Sequence, residues 1–594
     1  MSVALLVLAV TAVGATPLPV PKGVFSLPDS GNPAADASLT NPDVVGIAVR
    51  NGWRLVEPVE GQFDWSFLDA EVARATNAGK KIILRVPAGG VSTPSWVFAA
   101  GVKTFTFTDS NPYHSTYNQT VTIPVFWDPI LLAKKSDLMA AMGAHFAGNS
   151  TVVMVGVSGA NATTDDWNVP NAPADIEQWK SLGYTSSKLI TACEQQIDTA
   201  AAAFPQCTIS MAVGQNGLLD ATPDTVASAV VSYALSKYSG RFIVQKNTLS
   251  AQTPDPMLAP NFSAWRIMND NEPQVAAQMM WDVTNDTTGR MNGNVTPFDP
   301  VTTLQAAVDL GLRYRLNFEE IYEEDVLNPN LAGVIHYAST NLAALPTTTL
   351  TSVWLLKNGH FSTGMAAPTI PSGWSLRGVA DFDGDGNKDY VLFNPATGQT
   401  TIWYMKGTTL LGTAAGPVVT AGFDLVTCGD FNHDGKPDLV VLNRTTRQTA
   451  MWQMNNTQLL KKQAGPRLPA SFDLICCADF NADGNLDYVL FNAATGQTTV
   501  WYLTGNTILS TQAGPRLASN LTLVGAGDFN GDRKPDFVYL DKKTGLTTIQ
   551  YLNSLANSGK ISGPPLPKGA GLGAIVDFDG AGQLDFVITN QLGQ

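Results

Sequence analysis

Four carboxylates recur at odd positions of one nine-residue run: Asp381, Asp383, Asp385 and Asp389 in DFDGDGNKD. The same positions one, three, five and nine are held by Asp430, Asn432, Asp434 and Asp438, by Asp479, Asn481, Asp483 and Asp487, and by Asp528, Asn530, Asp532 and Asp536. Closely spaced hard oxygen donors on a short loop suit a calcium ion, and Gly386 allows the tight turn. An EF-hand would need Glu at position twelve, where Leu392, Val441, Leu490 and Tyr539 stand instead. In the fourth loop Arg533 replaces the turn Gly, and in a fifth, DFDGAGQLD from Asp577, Ala581 removes a ligand. The competing reading is a row of Asp/Asn-rich β-turns without metal.

A second chemistry is suggested upstream, where carboxylates alternate with tryptophans. Trp53, Glu57, Asp64 and Trp65 fall in WRLVEPVEGQFDWSFLD; Arg85 lies in KIILRV and Trp96 follows it; Trp127 and Asp128 lie in PVFWDP. Further on come Asn161, Asp165, Asp166 and Trp167, then Gln278, Trp281 and Asp282, then Glu319 and Glu320 in FEEIYEED. Indole faces stack on the CH surfaces of sugars, and two carboxylates supply proton transfer together with nucleophilic or base chemistry. On this reading Glu320 and Asp166 are the catalytic pair, and Trp53, Glu57, Arg85, Trp96, Trp127, Asn161, Trp281 and Asp282 line the substrate. Each also has a plainer reading. Glu57 could cap a loop or hold Arg85, Asp165 and Asp166 could be turn residues, and EEIYEED could be a solvated helix start.

The elements that must position these groups differ between the two halves. The acidic loops begin at Asp381, Asp430, Asp479, Asp528 and Asp577, a fixed step of 49 residues, and Trp354, Trp403, Trp452, Trp501 and Gln550 keep the same step. Each unit reads as four short strands, the length of a propeller blade. The chain ends where a further unit would supply its TTIWYM strand, and LTSVWLL near Trp354 opens the first. A closed five-bladed ring over residues 346–594 is expected, with an open array, or a ring completed by another chain, as the alternative. The repeated Trp residues read as sugar platforms or as blade core. Residues 20–345 instead alternate strand-like runs with amphipathic helices. Eight such runs, from GVFSLP to LRYRLNF, predict a (β/α)8 barrel with its site at the C-terminal strand ends, a doubly wound sheet being the runner-up. The fold class is therefore multidomain, a barrel followed by an all-β propeller.

The repeat closely resembles the FG-GAP/VCBS-type repeat of integrin-like and bacterial extracellular propellers. That resemblance implies calcium-bound blades in an extracellular setting. W-x-x-x-E-P-x-x-G-x-F-D-W-S-x-L-D at Trp53–Asp69, with GKKIILRV, TPSW and PVFWDP, is similar to retaining glycoside hydrolases with TIM barrels, especially the β-galactosidase-like and cellulase-like families. The resemblance implies an acid/base Glu after the fourth strand and a nucleophile Glu on the seventh. This chain has SGANATTDDW and Gln278 at those places.

Composition narrows the classes. The 594 residues carry a net charge of −14, with 44% hydrophobic and only 14% charged residues. An acidic chain without a basic block argues against nucleic acid or an anionic membrane as partner. Five cysteines and five scattered histidines offer no disulfide framework, Cys-based zinc site or His triad, although Cys193 and Cys207 could bridge. Residues 1–19 resemble a signal peptide, short for a membrane span and followed by prolines, so a secreted monomer acting on carbohydrate is expected. An exported glycoside hydrolase is the leading reading. The alternative is a non-catalytic carbohydrate-binding or adhesion protein on a degenerate barrel. A polysaccharide lyase would need a Lys, Tyr or His base that the pattern does not reveal.

Overall fold

The computed structural model describes residues 20–164, 166–214, 225–258, 263–345 and 347–591. The leader read at 1–19 and Asp165 lie outside these described residues. The chain divides into two compact units. One runs to Thr253 and again over Ser263–Leu345; the other takes Pro254–Phe262 and everything from Pro346. Among the described residues no helix is long and apolar enough to cross a membrane.

The first unit is a closed barrel of eight parallel strands. They are β1 (Gly23–Leu27), β2 (Val44–Arg50), β3 (Lys81–Arg85), β4 (Val152–Val157), β5 (Thr208–Ala212), β6 (Phe242–Leu249), β7 (Val275–Met279) and β8 (Phe318–Tyr322). Closure comes from β1 pairing β8, with Gly23 opposite Phe318 and Leu27 opposite Tyr322, so the doubly wound alternative is set aside. Both faces of such strands are covered, which is why they read as nearly continuous apolar runs. Alternate residues turn inward, and Phe25, Ala48, Ile83, Met154, Ile243, Ala276 and Phe318 fill the interior.

Two local features depart from the sequence reading, and the open choice between a bridge and free thiols at Cys193 and Cys207 is decided. The eighth strand begins only at the last residue of LRYRLNF. Asp299 caps the helix Pro300–Arg313, Tyr314 ends it, and Arg315 turns the chain at φ 54, so β8 starts only at Phe318. Glu320 is thus the middle residue of its strand rather than its end. Between β3 and β4 lies an unanticipated hairpin, Thr104–Thr108 with Thr120–Pro124, in which Phe105 and Phe107 are buried between exposed threonines. Cys193 and Cys207 do not bridge; both are free and buried, and burial pushes their thiols up to about 12 and about 11.

The second unit holds five four-stranded antiparallel sheets, the blades of a propeller-like arrangement. Each sheet takes two strands from one 49-residue unit and two from the next, as in Ser375–Ala380, Asp389–Phe393, Thr400–Lys406 and Thr409–Ala415. This half-unit offset closes the set. The fifth sheet combines Ala570–Val576 and Asp585–Gln591 with Thr349–Lys357 and His360–Ile370, and Thr349 pairs Gln591. The open array is thereby replaced by closure within the chain. Trp354, Trp403, Trp452 and Trp501 are all buried, which bears out the blade-core reading of these residues.

The Asp at position nine braces every blade. One oxygen accepts the N–H of Phe382, Phe431, Phe480, Phe529 or Phe578, and the other accepts an N–H sixteen residues onward, from Met405, Met454, Leu503 or Leu552. For Asp585 the second N–H comes from Leu356, at the other end of the repeat region, at 2.9 Å. The seam is therefore bonded like the interior blades. Replacing a position-nine Asp by Ala strands two N–H groups, at a cost of about 1–3 kcal/mol each. Asp585→Ala is expected to lower the propeller's melting temperature more than Asp438→Ala, because it also releases the pairing of the chain ends. Thermal unfolding of the two variants checks this, and equal shifts would mean that the seam adds nothing.

Candidate functional site

Above the apolar interior the barrel carries a polar layer built from four strands. Arg85 on β3 reaches Glu320 on β8, although β2 and β1 lie between those strands. The pair is bidentate. Nη1 donates to Glu320 Oε2 at 2.7 Å and Nη2 donates to Oε1. Nη2 also donates to Gln245 Oε1 at 2.9 Å, and Nη1 lies 3.4 Å from Gln278 Oε1. Glu320 is 0% exposed and Arg85 7%. The arginine can cross because β4 offers Gly156 beside it, where a Cβ would stand 2.7 Å from Arg85 Cγ. Glu319 obeys the strand alternation and turns outward, into the helix Pro300–Arg313. It is buried with no hydrogen bond to either oxygen, and burial pushes its carboxyl well above the usual range.

At the C-terminal ends of the strands this layer continues into a mouth. Arg85, Ser158, Ser210, Gln245 and Asn247 surround a small cavity of about 20 Å3. Asn247 Nδ2 donates to Asp166, which holds that half-buried carboxylate over β6. Gly89 and Gly90, both at positive φ, let the loop after β3 run against the loop after β4, where a Cβ on Gly90 would meet the Asn161 and Ala162 carbonyls at 2.4 Å. Among the described residues four buried polar atoms here have no partner: Asn161 Oδ1, Trp167 Nε1, Gln245 Nε2 and Asn247 Oδ1. Buried polar groups are ordinarily satisfied, so donors and acceptors left over together suit a ligand bearing hydroxyls. A larger cavity, about 690 Å3, opens between the hairpin and the same loop, lined among others by Phe107, Asp109, His114, Thr163 and Asn168. His114 Nδ1 lies 3.0 Å from both Asp109 Oδ2 and Thr163 Oγ1. Burial acts to raise the Asp109 carboxyl, but bonds from Thr116, the Asn111 amide and His114 hold it below its usual value. Along the chain nothing marks this dyad beyond one of five scattered histidines.

The other candidates separate. Trp53 is fully buried and donates to Glu57 Oε2 at 2.8 Å, Gly61 N–H takes Glu57 Oε1, and Trp96 donates to the Glu57 carbonyl while meeting Trp53 edge-on. Trp53 and Glu57 therefore form a packing knot instead of a binding surface, and Glu57 does not hold Arg85. Trp127 belongs to an aromatic cluster with Trp179 and Tyr184, and Asp128 caps the helix Pro129–Phe146. Asp282 accepts the Asn285 N–H at 2.7 Å, as a turn residue does. Trp281 stands near Tyr322 and carries the Arg290 guanidinium 5.0 Å from its ring, and the same guanidinium lies 4.1 Å from the ring of Tyr113, between the hairpin strands. Asp325, at the end of FEEIYEED, accepts from the Val283 and Thr284 N–H groups; burial pushes its carboxyl up to about 6.

The acidic loops fit a cation on the chemistry of their donors. Carboxylate oxygens of Asp381, Asp383 and Asp385 lie within 4.8 Å of one another, as do those of Asp577, Asp579 and Asp585. The fifth loop, set aside in the sequence reading for its Ala581, thus regains a third carboxylate from position nine. Positions four and six are left-handed in every loop: Gly384 and Gly386, His433 and Gly435, Ala482 and Gly484, Gly531 and Arg533, Gly580 and Gly582. Arg533 therefore keeps the turn that glycine makes elsewhere. Burial, with nearby carboxylates adding to it, pushes Asp389, Asp438, Asp487 and Asp536 up to about 6.

Comparison with known proteins agrees with this division. Residues 39–186 match the family model described as beta-galactosidase, and residues 381–441, 430–490 and 479–539 match that of the FG-GAP-like repeat. Among solved structures the chain is similar to the catalytic domain of beta-amylase from Paenibacillus polymyxa, at 13% identity over 55% of this chain and 100% of that one, TM-score 0.38. It is also similar to the beta-galactosidase of Halorubrum lacusprofundi, at 11% identity over 57% and 59%, TM-score 0.36. A third is the beta-galactosidase of the psychrophilic Marinomonas ef1, at 11% identity over 54% and 59%, TM-score 0.33. The chain spans less than two thirds of either beta-galactosidase. No curated protein matches it.

Two adjacent glutamates should respond in opposite senses. Glu320→Gln leaves a buried guanidinium uncompensated, at a cost of about 3–5 kcal/mol. Glu319→Gln removes an ionisable group that has no partner, so its melting temperature should equal or exceed that of the wild type. For Asp325 the folded carboxyl titrates near 6 against 3.8 unfolded, so its stabilising effect is full below 3.8 and lost as pH rises through about 6. Wild type should therefore gain stability relative to Asp325→Asn as pH falls from about 7 to about 5. Denaturant titrations at the two pH values measure it, and a constant difference would refute the shift.

Proposed function

We propose that the barrel unit is a glycoside hydrolase that takes a carbohydrate at the C-terminal mouth. The carrying observation is the set of four buried, unpartnered polar atoms from Asn161, Trp167, Gln245 and Asn247 beside the Arg85–Glu320 pair. The match of residues 39–186 to the beta-galactosidase model supports the reaction class. Cleavage of a glycosidic bond needs one carboxyl that protonates the leaving oxygen and one ionised carboxylate across the anomeric centre. In this reading Arg85 orients Glu320 as the carboxylate across the anomeric centre, and Asp166, steadied by Asn247, donates the proton. Asn161, Trp167 and Gln245 bind hydroxyls, and Trp281 walls the mouth.

A second reading, sugar binding without hydrolysis, is favoured by one feature. Glu320 is fully buried with both oxygens held by Arg85. Calcium is proposed for the propeller, held by the position-one, -three and -five side chains with help from position nine; bound there, it would neutralise the clustered carboxylates and fix the loops. The leader at residues 1–19 supports export.

The test is a panel of oligosaccharides assayed for hydrolysis and, by calorimetry, for binding. Asp166→Asn should retain binding and lose turnover by about 10²–10⁴-fold, the usual worth of a general acid. Binding without hydrolysis by the wild type selects the second reading, and neither binding nor hydrolysis overturns both. Chelation should lower the propeller's melting transition by the equivalent of about 2.7 kcal/mol per site if calcium stood at a hundredfold excess over its Kd. An unchanged transition counts against the metal.

A further inference from the structure

The propeller's repeats serve as controls for one another, and they single out a groove. Between the closing sheet and the sheet that starts at Ser375 lies a cavity of about 440 Å3, whose walls include Trp374, Gln399, Thr401, Trp403, Thr413 and Val418. None of these is charged. Forty-nine residues earlier, the equivalent places of Thr401, Trp403 and Thr413 are Ser352, Trp354 and Gly364. There the groove is filled. The turn Pro254–Leu258, which folds with this unit, inserts Met257, 0% exposed. Trp354 Nε1 donates to the Met257 carbonyl at 2.8 Å, and Ser352 Oγ lies 3.5 Å from the same oxygen. Leu258 lies against Gly364, so close that a Cβ there would be 2.9 Å from its methyl. Asp255 shapes the turn by accepting the Met257 N–H at 2.9 Å, and its carbonyl accepts the Leu258 N–H.

The grooves further round the ring each lack a part. In the next, Lys462 replaces Thr413 and lies over the Trp452 ring at 4.1 Å. In the one after, Arg516 stands in place of Val418, its Nε donating to the Thr495 carbonyl at 2.7 Å. In the fourth, Gln550 replaces the tryptophan. Gln399 differs as well. Its counterparts Gln448 and Gln497 donate to the Gly465 and Gly514 carbonyls across their own strand pairs, whereas Gln399 accepts from Thr397. The groove at Trp403 thus combines the indole and a small hydroxyl residue, the two features that hold the Met257 carbonyl one sheet earlier, with an uncharged rim, while Thr413 stands where Gly364 gives Leu258 its room.

We propose that this groove is a peptide-binding site. Its occupant is a turn of a partner protein that offers an unbranched apolar side chain, with its own main-chain carbonyl accepting from the Trp403 indole, as the Pro254–Leu258 turn does at Trp354. The hydrophobic face of Trp374, where the other sheets have Phe423, Phe472, Leu521 and Ala570, adds contact area for the residue after it.

The experiment uses the full chain and a synthetic, end-blocked peptide Thr-Pro-Asp-Pro-Met-Leu-Ala, with binding read by calorimetry and tryptophan fluorescence. Wild type should bind it, and a peptide carrying Met257→Asp should not. Thr413→Lys and Val418→Arg install residues that the other sheets already accommodate, so melting should be unchanged while affinity falls about tenfold or more, as for a blocked hot spot. Two variants at separate walls guard against a local folding failure in either. Absence of peptide binding overturns the proposal. So does binding unaffected by both substitutions, which would place the peptide elsewhere. Binding of cellotetraose or xylotetraose at this groove in place of the peptide would likewise overturn it and make the groove a sugar site.

Discussion

A guanidinium carried across the inside of a barrel constrains everything around it. Arg85 must leave β3, pass Gly156 on β4 and reach a carboxylate on β8, and it is almost wholly removed from water. An unpaired charge in that position would cost more than the barrel could tolerate, so Glu320 is required as its counterion, with Gln245 accepting a further N–H. The apolar layer below stops at this level, and the polar mouth begins above it. Asn247, two residues beyond Gln245 on the same inward face, extends the layer to Asp166 and so couples the loop after β4 to the strand bed. The electrostatics of the candidate site therefore follow from one buried pair.

The propeller obeys a different constraint, a fixed step that must return to its start. Five units of equal length, cut half a unit out of phase with the sheets, bring strand Thr349–Lys357 beside strand Asp585–Gln591. The position-nine Asp has two tasks there. It braces the blade through two backbone N–H groups, and in the fifth loop it also adds an oxygen to the acidic cluster. Sequence reading assigns it only the second task, because a ligand spacing is visible in one dimension and a bond to a strand sixteen residues on is not. Repetition also makes the exceptions readable. Lys462, Arg516 and Gln550 are ordinary surface residues in isolation, and they acquire meaning against Thr413, Val418 and Trp403.

Much was settled by the chain order itself. The 49-residue step and the strand count per unit follow from periodicity, because every unit must solve the same packing problem with the same residues, whereas closure of the ring within the chain rests on the pairing of Thr349 with Gln591. The barrel's alternation of apolar runs and amphipathic helices is equally local, as is the opposite facing of Glu319 and Glu320, which only requires the two-residue period of a strand. The acidic loops are local too, since their donors lie within nine residues.

What the tertiary structure alone decided is partnership at long range. Arg85 and Glu320 are 235 residues apart, Trp354 and Met257 are 97 apart, and nothing in either segment names the other. Tryptophans show the same limit. Trp53 in a motif beside acids looked like a sugar platform, yet a fully buried indole bonded to Glu57 is a packing element. The helix running on to Tyr314 and the left-handed turn at Arg315 moved the start of the last strand to Phe318 and so sank Glu320 into the barrel instead of leaving it at the rim. Residue type and spacing determine which chemistry is possible; burial and the identity of the distant neighbour determine which of it is available, because solvation and charge pairing are properties of the folded volume and have no counterpart along the chain.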